Sequence, residues 1–265
     1  MKNIIRITST LSLLLISSFI SQANGAEAIE IVKKAIHAAY YQGDDAKARA
    51  DMRIIDKQGR ERTRSVSMLR KNTSTDDRNQ KYYIFFRGPA DIKKTVFMAW
   101  KNSDREDDRW LYLPALDLVK RIAASDERTS FVGSHFFYED VSGRGINEDT
   151  HELLEESTDY YVIKSIPKHP DLVEFTYFKN WVDKKTYLPM KTEYFNKNNQ
   201  LYRTYTVQKV SVIDGYPTVI DSQMDDNLSG GKTILNYSDI KYSQGLPEDI
   251  FTERYLRRPA KKYLQ

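Results

Sequence analysis

The sequence contains no cysteine, which excludes disulfide bonds and thiolate metal sites. It has only four histidines, and no two of them stand at the spacing of a local zinc motif such as HExxH. The GxSxG motif of serine hydrolases and a glycine-rich phosphate loop are also missing. We therefore expect no metal, no cofactor and no catalytic residues. A triad assembled from distant positions stays open, with His135 as the candidate base.

Charge of one sign is not in excess either. The chain has 41 Lys and Arg residues against 37 Asp and Glu residues. Two of the cations, Lys2 and Arg6, belong to an N-terminal segment with no acidic residue, which leaves 39 against 37 for the remainder. A nucleic-acid-binding surface needs a clustered basic face, so we expect no nucleic acid as a partner.

The chain has a single long apolar run, and it lies near the N-terminus. Lys2 and Arg6 precede the apolar stretch Leu11–Ile20, and the small residues Ala23 and Gly25 follow it. This is the order of a signal peptide, and the stretch is shorter than the ~20 residues of a membrane-spanning helix. We expect residues 1–25 to be cleaved, with a buried N-terminal helix as the alternative. Since no cysteine is available for a lipid anchor, we expect a soluble protein of the bacterial periplasm.

Aromatic residues are abundant instead, with 18 Tyr and 11 Phe. Aromatic and β-branched residues favour strands, and from about Ala50 apolar and polar residues alternate with the period of two that strands have. Turn clusters such as Asp214-Gly215 separate the later segments. Successive strands joined by short turns are antiparallel neighbours. No linker rich in Pro, Gly or Ser divides this meander, so we expect residues 26–265 to form one domain.

Two helical segments flank the strands. The first is amphipathic and ends near Gly43, with apolar residues at helical spacing: Ile29, Val32, Ile36 and Ala39. The second is the run PEDIFTERYL near the C-terminus, in which Pro247 suits the first position of a helix. Three arginines, Arg254, Arg257 and Arg258, lie in or just beyond this segment and form a candidate edge for docking a partner.

The strand count predicts curvature. A flat sheet of roughly ten strands leaves a large apolar face in water, so it must curl or split. The runs KYYIFF, from Lys81, and TVFMAW, from Thr95, are apolar on both faces, so more than one layer must cover them. We predict a mainly β fold with a few helices (α+β), in which helices cover the concave side of a strongly curved antiparallel sheet. Such a shape can enclose a cavity, and the surplus of aromatic side chains predicts an apolar hollow.

One segment, Ala124–Gly145, follows neither the helical nor the strand period and is unusually apolar for a loop. A structured loop of this kind is buried or covers something. It can be a plug packed inside the curved sheet, or a lid whose rings contact a ligand. The candidate ligand-binding residues are the aromatic residues of this segment and of the strand before it: Trp110, Tyr112, Phe131, Phe136, Phe137 and Tyr138.

The same region carries a resemblance to a known family. The run RWLYLPALDLVKRIAASDERTSFVGSHFFYEDV, from Arg109 to Val141, resembles the outer-membrane lipoprotein-sorting proteins related to LolA. The resemblance continues through WVDKKTYLPMKTEYF, from Trp181, and TILNYSDIKYSQGLPEDIFTERYLRRP, from Thr233. It implies a half-open antiparallel barrel whose mouth is covered by helices. It also implies a periplasmic carrier or chaperone for lipid or lipid-modified protein, in a branch associated with inner-membrane RND-type exporters.

Three functions remain open at this stage. The first is a monomeric carrier that holds lipid or acylated lipoprotein in an apolar cavity and performs no chemistry on it. The second is an adaptor that docks on an inner-membrane transporter without holding lipid. The third is a hydrolase acting on an envelope lipid or glycan, for which His135 would be the residue to test.

Overall fold

The computed structural model describes residues 25–265, and the expected signal peptide lies outside them except for Gly25. Within this range thirteen strands form one antiparallel sheet. Their bounds are β1 (Asp45–Ile55), β2 (Glu61–Asn72), β3 (Gln80–Gly88), β4 (Val96–Lys101), β5 (Asp108–Leu113), β6 (Leu118–Ile122), β7 (Asp149–Glu156), β8 (Tyr160–Pro167), β9 (Phe175–Asp183), β10 (Pro189–Asn196), β11 (Leu201–Ile213), β12 (Tyr216–Asp226) and β13 (Lys232–Tyr242).

The sheet consists of two meanders, which are joined by pairing of the first strand of the chain with the last. Strands β1 to β6 run in order to one edge, β13 back to β7 run in order to the other, and β1 pairs with β13 in the middle. Register shifts interrupt several pairs, for example between Lys47 and Arg49 of β1 and between Val207 and Lys209 of β11. Such bulges bend a strand and increase its twist. The prediction of a strongly curved, open antiparallel sheet is confirmed.

The two free edges, β6 and β7, are consecutive in the chain. Residues 123–148, which we call the plug segment, connect them and fold onto the concave side of the sheet. The plug segment contains the short helix α2 (Tyr138–Ser142) and two 3₁₀ turns, Ala124–Asp126 and Ile146–Glu148. Phe131 packs edge-on against Phe97 of β4, with ring centroids 5.4 Å apart. This part of the segment is therefore a plug of the core.

The N-terminal helix, α1, is described over residues 25–36 and continues into a π-helical turn, His37–Tyr41. Ala28, Ile31, Val32 and Ala35 pack against Ile163 of β8 and Val182 of β9. The predicted helix is confirmed, but its buried face is rotated, because Ile29 is 40% exposed. No helix among residues 25–265 is both long and apolar enough to cross a membrane.

The C-terminal segment covers the opposite, convex face of β2 to β6. It contains the 3₁₀ turns Glu248–Phe251 and Lys261–Tyr263 and the helix α3 (Arg254–Arg257), so the predicted helix is broken at Thr252 and Glu253. Trp100 Nε1 donates to the carbonyl oxygen of Phe251 at 2.8 Å, and the Tyr83 hydroxyl donates to that of Tyr255 at 2.7 Å. This layer explains why β3 and β4 are apolar on both faces.

Candidate functional site

A cavity of about 380 Å³ lies between the concave face of the sheet, α1 and the plug segment. Its volume falls in the range of ligand-binding pockets. Strands from both meanders contribute to the wall, including β1 to β3 and β8 to β13. The cavity is therefore a property of the complete curved sheet and not of one hairpin.

Small side chains create the space. The inward positions of the first half of β1 are Ala46, Ala48 and Ala50, and α1 with its π turn presents Ala35 and Ala38 to the same volume. Elsewhere on the concave face large side chains such as Phe86, Phe97 and Phe131 pack together in the core. The expected apolar hollow exists, but alanines make it, whereas the buried aromatic rings largely fill the interior.

Most of the wall is apolar. The side chains facing the cavity from the sheet and the plug segment include Met52, Val66, Met68, Ile84, Phe131, Phe136, Phe178, Met224 and Leu235. Burial of hydrocarbon against such a surface is favourable by roughly 25 cal/mol per Å² of apolar area. The wall therefore suits a ligand with an extended apolar part.

Tyrosines interrupt this apolar wall. Tyr194 of β10, Tyr205 of β11 and Tyr237 of β13 face the cavity from the sheet, and Tyr40 faces it from the π turn. Burial, with a smaller contribution from Asp140, raises the pKa of Tyr40 well above its ordinary value. Burial likewise raises the pKa of Tyr205 to about 12. These phenols stay neutral and can both donate and accept hydrogen bonds.

Gly143 allows Tyr40 to lie against the plug segment. It ends α2 with a φ of +76°, and a Cβ atom at this position would come within 2.9 Å of the Tyr40 ring. A positive φ and so close a ring favour glycine here. The end of α1 is held in place from the sheet, because Arg70 Nη1 and Gln80 Nε2 both donate to the Tyr40 carbonyl oxygen, at 2.7 and 2.6 Å.

A chain of ion pairs fastens the plug segment to the sheet. Arg109 of β5, which is only 2% exposed, donates to Asp107 and to Glu127, both at 2.8 Å. The chain continues through the plug segment, where Arg144 contacts Asp149 of β7 at 2.9 Å. The intermediate pairs are Glu127–Arg128, Arg128–Glu139 and Glu139–Arg144. The plug segment is thus tied to the free edge β7 and to β5, the neighbour of the free edge β6.

A second buried pair lies at the cavity wall. Asp140 Oδ2 accepts hydrogen bonds from Arg203 Nη2 at 2.5 Å and from the backbone N–H of Phe137 at 2.6 Å. Burial raises the pKa of Asp140, and the Arg203 charge opposes this shift. The Arg203 guanidinium also lies 3.8 Å from the centroid of the Phe137 ring.

His151 and Ser165 form a hydrogen-bonded pair in the wall. His151 Nε2 donates to the carbonyl oxygen of Ile146 at 3.0 Å, so its Nδ1 accepts from the Ser165 hydroxyl at 2.9 Å. Burial lowers the pKa of His151, which keeps the ring neutral. Ser165 is only 1% exposed and is the cross-strand partner of His151 in the β7–β8 ladder, so this hydrogen bond joins the two strands within the cavity wall.

His135 has a similar structural environment. Its backbone N–H donates to Thr233 Oγ1 at 3.0 Å, and its Nδ1 lies 2.9 Å from the same oxygen. Within residues 25–265 no group of three or more His, Asp or Glu side chains is arranged to hold a metal ion. These two contacts with Thr233 hold the plug segment against β13.

The predicted ligand-binding residues separate into two groups. Phe131 and Phe136 line the cavity, while Tyr138 packs behind Phe131 with ring centroids 5.3 Å apart and Phe137 lies under Arg203. Trp110 packs on the convex face beneath the C-terminal segment, and Tyr112 packs beside it. The sheet separates these two rings from the cavity, and we exclude them from the proposed ligand site.

The predicted docking residues lie on the convex side. Arg254, Arg257 and Arg258 are exposed, and the buried Leu256 anchors them to the sheet. Arg257 Nε donates to Asp117 Oδ1 at 3.0 Å, next to the β5–β6 turn. Sequence patterns identified neither the cavity alanines nor its tyrosines, because both residue types are common and only the strand register places them together.

Known proteins share both the sequence pattern and the fold of this chain. A family model described as "Uncharacterized protein" matches residues 78–258, more than half of the chain. The chain belongs to this family, and its fold is that of the LolA-like proteins. The search among curated proteins found no match.

Solved structures share the fold over most of their length. A DUF1329 family protein from Desulfovibrio piger has a TM-score of 0.80 and 26% identity, over 89% of this chain and 98% of that chain. A domain from Vibrio parahaemolyticus, named for outer membrane lipoprotein sorting, has a TM-score of 0.80 and 29% identity, over 89% and 100%. A LolA superfamily protein from Nitrosomonas europaea has a TM-score of 0.67 and 23% identity, over 86% and 98%.

Proposed function

We propose that this protein is a periplasmic carrier that binds one acyl chain of a lipid or lipid-modified protein and performs no chemistry on it. The observation that supports the proposal most directly is the apolar cavity between the concave sheet, α1 and the plug segment. The likeness to a domain named for lipoprotein sorting supports it independently.

The cavity volume sets the size of the ligand. An apolar cavity of about 150 Å³ holds benzene, which has six carbons, so 380 Å³ has room for about fifteen carbons. Each buried CH₂ contributes about 0.8 kcal/mol. Burial of one acyl chain in the cavity therefore offsets the similar cost of removing it from a membrane, so that no covalent step is needed. A second chain would remain outside.

Entry and release need a movable cover. We propose α1 for this role, because its contact with the sheet is made by small and aliphatic side chains such as Ala28 and Ala35. The plug segment is a poorer cover, since moving it would separate the buried ion pairs of Arg109 and Arg144. Breaking a buried ion pair costs about 3–5 kcal/mol.

A transporter would supply or remove the cargo. We propose an inner-membrane exporter of the RND type as the partner and the edge formed by Arg254, Arg257 and Arg258 as the docking surface, since these side chains are exposed on a well-anchored segment. Cross-linking in cells through this edge tests the partner. If no transporter is recovered, this docking proposal fails while the carrier proposal stands.

Native mass spectrometry of protein purified from the periplasm of its own host tests the carrier proposal. We expect a bound mass in the range of a single lipid, and competition by fluorescent acyl probes. Protein that is always empty and binds no acyl probe would refute the carrier and favour an adaptor without lipid.

A further inference from the structure

Three tyrosines of the cavity lining have hydroxyls without a side-chain hydrogen bond among residues 25–265. Tyr82 donates to Gln80 Oε1 at 2.6 Å, the Tyr242 hydroxyl lies 3.0 Å from Thr218 Oγ1, and the Tyr205 hydroxyl is hydrogen-bonded to Ser222, so these three are satisfied. In the part of the chain that the structure describes, no side-chain hydrogen bond involves the hydroxyls of Tyr40, Tyr194 and Tyr237. None of these three hydroxyls is fully buried, so each keeps surface that a ligand in the cavity can contact. They come from three different elements: the π turn, β10 and β13.

An unpaired polar group that loses its water is costly. A hydroxyl transferred from water to an apolar environment without a hydrogen bond is unfavourable. A saturated hydrocarbon chain that filled the whole cavity would displace water from all three phenols and would offer them no hydrogen bond in exchange. A ligand that carries oxygen atoms at this part of the cavity would replace those hydrogen bonds.

The acidic side chains Asp140 and Asp149 at the wall are ion-paired, and the cation Arg70 is hydrogen-bonded to neutral oxygen atoms. Lys47, Arg70 and Arg144 stand against Glu139, Asp140 and Asp149. Arg144 is bound to Asp149, and Asp140 to Arg203. Arg70 Nη1 donates to the carbonyl oxygen of Tyr40 and to Asn72 Oδ1, and its Nη2 donates to Gln42, so it caps the end of the π turn. An ionised headgroup would thus enter a site whose opposite charges are already engaged.

We infer that the ligand is an uncharged acyl lipid with ester or hydroxyl oxygens, of the acylglycerol class, whose oxygen atoms are bound by Tyr40, Tyr194 and Tyr237. This inference rests on the carrier function and adds its specificity. The phenols are suited to it because each can donate to an ester carbonyl or accept from a glycerol hydroxyl.

The test compares ligands that share one chain. Monopalmitoylglycerol, palmitate and hexadecane compete for the purified protein against an apolar fluorescent dye held in the cavity. We expect monopalmitoylglycerol to bind at least tenfold more tightly than either of the others. In the variant Tyr40→Phe/Tyr194→Phe/Tyr237→Phe its affinity falls at least tenfold, about 1.4 kcal/mol, while dye and hexadecane are retained.

A matched triple variant controls for stability. Tyr177→Phe/Tyr216→Phe/Tyr263→Phe removes three hydroxyls outside the cavity lining and should leave every affinity unchanged. Equal binding of all three ligands, with no effect of the cavity variant, would overturn the inference and leave the carrier intact. If palmitate binds more tightly than monopalmitoylglycerol and this preference is lost in Arg70→Gln, the ligand is anionic and the inference of a neutral ligand is wrong. If neither the dye nor any chain binds, the proposed function itself fails.

Discussion

Filling the cavity from β1 is the sharpest perturbation that the structure offers. Ala48 points into the cavity between Ala46 and Ala50, and its neighbours across the ladder are Met68 of β2 and the bulged part of β13. In Ala48→Phe a phenyl ring occupies the space of a ligand without removing a polar group. The sheet itself should be unchanged, because aromatic residues are favourable in strands.

The magnitude follows from the volumes. A phenyl ring takes about 150 Å³ of a cavity of about 380 Å³, which is about two fifths of the space. It displaces about six carbons of an acyl chain, worth at most about 5 kcal/mol at ~0.8 kcal/mol per CH₂. Since each 1.4 kcal/mol is tenfold, affinity for a palmitoyl ligand should fall by at least tenfold and by at most about 3.5 orders of magnitude.

Titration of a fluorescent acyl probe, with thermal unfolding of the same samples, measures this effect. Val212→Phe on β11 is the matched control, because Val212 is 69% exposed and lies outside the cavity lining. It should bind the probe as the unmodified protein does. If Ala48→Phe folds with an unchanged midpoint of unfolding and binds the probe equally well, the acyl chain does not occupy this cavity.

Three further predictions concern stability. Arg109→Met leaves Asp107 and Glu127 without their partner, so urea unfolding should show a loss of about 3–5 kcal/mol in the free energy of unfolding. Substitution of the exposed Arg105 by Met should change that free energy by less than about 1 kcal/mol. An equal loss in both variants would contradict the burial assigned to Arg109. Because burial lowers the pKa of His151 from 6.5, the unfolded chain binds a proton that the folded chain excludes, so stability is lost as pH falls below about 6.5. That part of the pH dependence should be absent in His151→Gln, and an unchanged slope would disprove the cause. Gly143→Ala should destabilise by more than about 1 kcal/mol because its φ is positive and Tyr40 is adjacent; a neutral effect would show that the ring moves freely.

The sequence predicted well where the strands lie, but it predicted poorly which face of each strand points to the concave side of the sheet. Alternation and turn clusters identified most of both meanders, since an antiparallel sheet with short turns is a local arrangement. In β5, however, Trp110 and Tyr112 point to one face and Leu111 to the other. Because the C-terminal segment covers the convex face, both faces are buried, and the pattern alone does not show which of them is concave.

Contacts distant in sequence could not be predicted. The pairing of β1 with β13 joins Ala50 to Tyr237 across the middle of the sheet, and nothing local in either strand specifies it. The plug segment was recognised as unusual from its phenylalanines, but its ion pairs link Arg109 to Glu127 and Arg144 to Asp149. The cavity depends on this long-range arrangement, which brings alanines of β1 opposite tyrosines of β10 and β13.

The carrier function requires that an acyl chain lies inside the curved sheet. A crystal structure of the protein with a palmitoyl lipid brominated near the end of its chain would locate the chain, because bromine is identified by its anomalous scattering. We expect a bromine peak within the cavity, against Ala48 and Phe136. A peak only on the outer surface, with the cavity closed by the protein's own side chains, would contradict it.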